Sequence, residues 1–85
     1  MSIKELKRCA HKVDVIVHID EQLDKHHRMH MEEVVESETG VMKARFNDQH
    51  HHLMIVAYDP KRINSALILD HIKRQKVNAQ LVGGI

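Results

Sequence analysis

The run VDVIVHI at residues 13–19 constrains the fold more than any other stretch. Val13, Val15, Val17 and Ile19 fall on alternate positions, with Asp14, Ile16 and His18 between them. A period of two predicts a strand with one face buried against a core. With one Tyr, one Phe and no Trp in 85 residues, that core has to be aliphatic. A chain this short holds a single domain near the lower limit of self-sufficiency.

The segments that follow change period. Asp24 is placed to cap a helix running through KHHRMHMEEVVESET. Spacing puts His27, Met31, Val34, Val35 and Glu38 on one helical face, with Gly40 suited to the C′ stop. VMKARF and LMIVAY then read as strands joined by NDQHHH, a hairpin connection. Asp59-Pro60 ends the second of them. Asn64 is a cap for the helix SALILDHIKRQ, with Ile63 before the cap and Ile68 within the helix forming a hydrophobic staple. NAQLVGGI is a last strand. The order strand, helix, strand, strand, helix, strand predicts an α+β, ferredoxin-like βαββαβ sandwich. Right-handed crossovers place two helices on one face of a four-stranded antiparallel sheet. Residues 1–12 read as a basic arm and residues 13–85 as the domain.

The topology also predicts where polar residues gather. The 20–27 connection, the 48–52 hairpin and the 75–78 connection share one end of the sandwich, with His18 close by. Histidine is the outlier of the composition, with nine in the chain. They are concentrated in HHRMH at 26–30 and HHH at 50–52. His26 and His30 are spaced i, i+4, and His27 and His30 i, i+3. Either pair can project toward one ion, with Asp24 as third ligand or as the acceptor that orients a ring. At the hairpin, His50 and His52 can co-ligate while His51 points away. The alternative for each is plainer: a solvated helix face, a capping aspartate, a polar turn. Met31 is expected in the core, Met29 exposed, and His71 at the surface. Cys9 and His11 form a Cys-x-His pair on the arm.

With those elements in place, the chain resembles the heavy-metal-associated domain family of metallochaperones and of the amino-terminal modules of metal-transporting ATPases. The resemblance runs from about Val13 to Val82. It rests on ETGVMKARFN, MIVAYDPKRINSALILDHIKRQ and NAQLV. The family's glycine-methionine-x-cysteine-x-x-cysteine loop is absent. Counting back from Gly40-Val41, its glycine and methionine fall on Glu21 and Gln22, and its cysteines on Asp24 and His27. The resemblance therefore implies the fold without the thiolate chemistry. Imidazole and carboxylate suit Zn, Ni, Co or Cu(II), or haem iron, where paired thiolates select Cu(I).

Two functions follow as expectations. One is a metal-binding carrier, sensor or buffer module, with haem as the other cofactor, using Asp24, His26, His27, His30, His50 and His52. The other is a relative without metal that serves as a protein-interaction or dimerisation module. Ile16 and one set of residues from LMIVAY leave the open sheet face apolar, which suits a homodimer or a partner protein. An enzyme is not expected: there is no paired nucleophile, phosphate loop or separated carboxylate pair. A net charge of +1 and few aromatics argue against nucleic acid. No segment is apolar enough to insert into a membrane. A single cysteine fits a reducing cytoplasm.

Overall fold

The computed structural model describes residues 12–84; the arm residues 1–11, with Cys9 and His11, lie outside the described residues. Strand β1 spans Val13–Ile19, helix α1 Lys25–Glu36, β2 Val41–Phe46, β3 Leu53–Tyr58, helix α2 Ser65–Lys73 and β4 Ala79–Gly84. The four strands form one antiparallel sheet in the order β2-β3-β1-β4. The helices cover one face, and this is the predicted ferredoxin-like sandwich. No helix among the described residues is long and apolar enough to cross a membrane.

The alternation in β1 does what it predicts: Val15, Val17 and Ile19 are buried. Met54 and Val56 of β3 and Ala44 and Phe46 of β2 join them, with Met31 and Val35 of α1 and Ile68 and Ile72 of α2 closing the core. Both caps form. Asp24 accepts from the backbone N–H of His27, and Asn64 from that of Leu67, each at 2.8 Å. Ile63 and Ile68 are both buried, as the staple requires.

Two expectations about α1 need correction. The helix stops at Glu36 with Ser37 as its C-cap, so Gly40 is not its C′ residue. Gly40 instead sits in the turn entering β2, with φ +98°, and its carbonyl accepts from the Asp59 N–H at 2.8 Å. A Cβ there would lie 2.9 Å from Arg62 Cβ and from Ile63 Cγ2, so glycine is required for both backbone and space. The buried face is also rotated from the expected stripe. His27 is exposed, and the half-buried positions beside Met31 are Arg28 and Glu32. Polar tips explain this: Arg28 donates to the Leu23 carbonyl, and Glu32 accepts from the Phe46 N–H. Both side chains are half-buried while their charged ends find backbone partners.

The open face carries Ile16 opposite Ile55, with Arg45 next to Ile55 on β2. Ile55 is exposed and Ile16 half-buried, so the expected apolar patch is present but short. The two edges differ. On β2 the outward N–H groups of Ala44 and Phe46 are bonded by Glu36 and Glu32, each at 2.9 Å. On β4, among the described residues, no side chain bonds the edge, and the strand holds no charged residue.

Candidate metal site

The chain closes one end of the sandwich with a small hydrogen-bonded frame. Ile19 N–H donates to the His52 carbonyl and Asp20 N–H to the Asn78 carbonyl, each at 2.8 Å. Glu21 accepts from the Asn78 backbone and side chain at 2.9 and 3.0 Å. The 20–24 connection, the hairpin and the entry to β4 are therefore locked together, as the topology predicts.

On the helix side of this rim, Asp24 holds His27 twice. Its Oδ1 accepts the His27 backbone N–H and lies 2.8 Å from the ring Nδ1. A carboxylate has only lone pairs, so Nδ1 carries the proton and the free lone pair is on Nε2. The backbone N–H of His27 is the main reason the Asp24 carboxyl is held below the usual carboxylate range. Desolvation is the next largest effect and opposes it, and the His27 ring adds smaller contributions in the lowering direction. The His26 ring stands edge-on to that of His27, with centroids 6.2 Å apart. His26, His27 and His30 are all exposed.

On the hairpin side, Asn47 shapes the turn by accepting from the N–H groups of Gln49 and His50. His50 and His51 are exposed and His52 is half-buried. The His52 Nδ1 lies 2.7 Å from the Ile19 carbonyl, and its ring stacks on His18. The hollow at this corner is lined by His18 with His50, His51 and His52, and by no histidine of α1. The two bursts thus share a rim without forming one cluster. Among the described residues, no three His, Cys, Asp or Glu side chains are drawn together as a ligand set.

Residue-by-residue reading of the sequence missed two histidines. His18 was placed near the rim by topology but given no role. Its penultimate position in β1, at the end that meets the hairpin, was the available signal. His71 was expected to be a plain surface residue. It is half-buried instead, with Nε2 3.1 Å from the Val34 carbonyl and Nδ1 3.5 Å from Glu38 Oε1. It ties α2 to the C-terminal end of α1.

No protein-family model and no curated protein matches the chain. Solved structures do. A copper-binding domain of HMA7, a P-type ATPase, superposes with a TM-score of 0.77 at 17% identity, over 85% of this chain and 96% of that one. The chain has the heavy-metal-associated fold. The N-terminal domain of a potential copper-translocating P-type ATPase from Bacillus subtilis, in its Cu(I)-loaded state, gives a TM-score of 0.77 at 16% identity, over 87% of this chain and 91% of that one. The copper chaperone of Enterococcus hirae, in its apo form, gives 0.71 at 18% identity, over 80% of this chain and 98% of that one. The donor set of this heavy-metal-associated fold is its own. Cys9, the sole cysteine, lies outside the described residues, and the β1–α1 connection presents Asp20, Glu21, Gln22 and Asp24. These oxygens and the neighbouring imidazoles do not fit a two-thiolate Cu(I) site. As donor types, carboxylate oxygen and imidazole nitrogen are those that borderline and harder divalent ions take.

Proposed function

We propose that the protein is a metal-binding carrier, sensor or buffer module that takes a divalent transition metal through histidine nitrogens at the rim where β1 meets α1. One observation carries this reading. Asp24 holds the His27 Nδ1 at 2.8 Å, so the opposite nitrogen is presented with its lone pair free. Orienting an imidazole through its other nitrogen is the usual support of a metal-ligating histidine. Imidazole binds Zn, Ni, Co and Cu(II), and its affinity falls in acid because a protonated ring is no ligand. The neighbours that share this fold are copper-binding domains and chaperones by description, which supports a carrier more than a catalyst.

Isothermal calorimetry on tag-free protein with Zn, Ni, Co and Cu(II) tests the reading, with hemin absorbance run alongside. Binding of an ion at micromolar levels, weakening from pH 8 to pH 5, is the expected result. Silence with all four ions would end it.

A second reading is favoured by a specific observation. The described residues present no ready-made set of three ligands, while Ile55 stands exposed on the open face opposite Ile16. On that reading the fold is a docking or dimerisation platform. It predicts concentration-dependent association, abolished by Ile55→Lys and indifferent to metal.

A further inference from the structure

His18 and His52 belong to different elements, and the fold stacks their rings with centroids 5.6 Å apart and planes 16° from parallel. Each ring has its Nδ1 occupied by an oxygen that can only accept. The His52 Nδ1 is 2.7 Å from the Ile19 carbonyl, and the His18 Nδ1 is 3.1 Å from Asp20 Oδ1. Both protons therefore sit on Nδ1, and both neutral rings keep their free lone pair on Nε2. Two adjacent imidazoles oriented in this way are better prepared for an ion than the α1 histidines, where only His27 has such a partner.

The surroundings agree. The two rings line a hollow of about 440 Å³ with His50 and His51 of the turn, and with Gln22 and Gln49. Every histidine of the second burst thus faces the same hollow as His18. His52 is the fixed member. Its backbone carbonyl accepts from the Ile19 N–H at 2.8 Å while its ring bonds the Ile19 carbonyl, so the Ile19 peptide is gripped from both sides. His18 is the adjustable one, with its side chain 34% exposed and its ring held only by a surface carboxylate.

We infer that His18 and His52 form the nucleus of a divalent transition-metal site, separate from the histidines of α1. A third imidazole comes from the His50–His51 turn, and water fills the open position. The ion is of the class that imidazole suits: Zn, Ni, Co or Cu(II). On binding, His18 tilts out of the stack, because near-parallel rings cannot both hold one ion in their planes. The inference rests on the metal-binding reading and adds a second site beside that of His27.

Calorimetry with Ni²⁺ and Zn²⁺ on the whole chain, at neutral pH, separates the two. His18→Ala removes a half-buried ring that is not part of the core, and circular dichroism verifies that it folds. It is expected to weaken one of two binding events by about tenfold or more, while the triple variant H26A/H27A/H30A keeps that event and loses the other. Nitrogen-15 NMR of the wild type, which needs no variant, should show the Nε2 signals of His18 and His52 moving together on Zn²⁺ addition. If the triple variant loses the ion and His18→Ala keeps it, the site is overturned and the metal-binding reading stands. If either variant alone loses both events, the separateness of the site is overturned. If the wild type binds neither ion, nor Co²⁺ or Cu²⁺, both fall.

Discussion

Glu32 reaches from α1 to the far edge of the sheet and accepts a hydrogen bond from the Phe46 N–H at 2.9 Å. One turn later Glu36 does the same for Ala44, also at 2.9 Å. Two carboxylates at i, i+4 thus satisfy two outward donors of an edge strand. Replacing both with Ala leaves those donors to water or to another chain, and unpaired edges are templates for association. Each lost bond is expected to cost about 1–2 kcal/mol. Urea melts would read the loss, and light scattering the new association. Unchanged stability and a monodisperse double variant would contradict this account.

Gly40 is the most constrained backbone position. At φ +98° a side chain strains the main chain by roughly 1–2 kcal/mol. The added Cβ also meets Arg62 and Ile63 at 2.9 Å. Gly40→Ala should lower the unfolding free energy by about 2 kcal/mol or more, read as a lower urea midpoint at unchanged slope. A neutral result would mean that the turn rearranges.

His71 joins the two helices. Its bond to the Val34 carbonyl lies among the last carbonyls of α1, where a donor is favourable. His71→Leu removes the donor that α2 supplies to that carbonyl, leaving it to Ser37, whose hydroxyl donates at 2.6 Å, and up to about 1 kcal/mol of stability should go with it. His71→Gln, which can still donate, should recover part. Equal stability of both variants would remove the clamp from the account.

Asp24 makes acid sensitive to one carboxyl. Its folded pKa is depressed, chiefly by the His27 backbone N–H. Its stabilisation is therefore complete above the unfolded carboxyl value, ~3.9, and is lost as pH falls through the lower folded value. Carbon-13 NMR of the Asp24 carboxyl should titrate below the ordinary aspartate range. In Asp24→Ala, the acid-side slope of the stability curve should flatten. A midpoint at or above the usual value would refute the paired geometry.

The architecture was legible because each element states its own period. Alternation in VDVIVHI and LMIVAY fixed strand faces, and Asp24 and Asn64 are residue types that cap wherever a helix begins. The phase of α1 was less legible. Val34 and His27 suggested one stripe, but Arg28 and Glu32 took the half-buried positions by finding backbone partners on other elements. Such partners depend on sheet register, which no local pattern reports. The candidate site divided in the same way. That the two histidine bursts share a rim followed from strand directions. That His52 would meet His18, and not the helix, depended on β1 lying beside β3 in the register Val17 to Met54.

The contrast between the two sheet edges sets how far this protein can grow by strand addition. Fibres need a growing end and a receiving end on every subunit. With two outward N–H groups of β2 bonded by Glu36 and Glu32, β4 is the more open edge among the described residues. Two copies joined through β4 would turn the edges guarded by Glu32 and Glu36 outward, which disfavours the addition of a third.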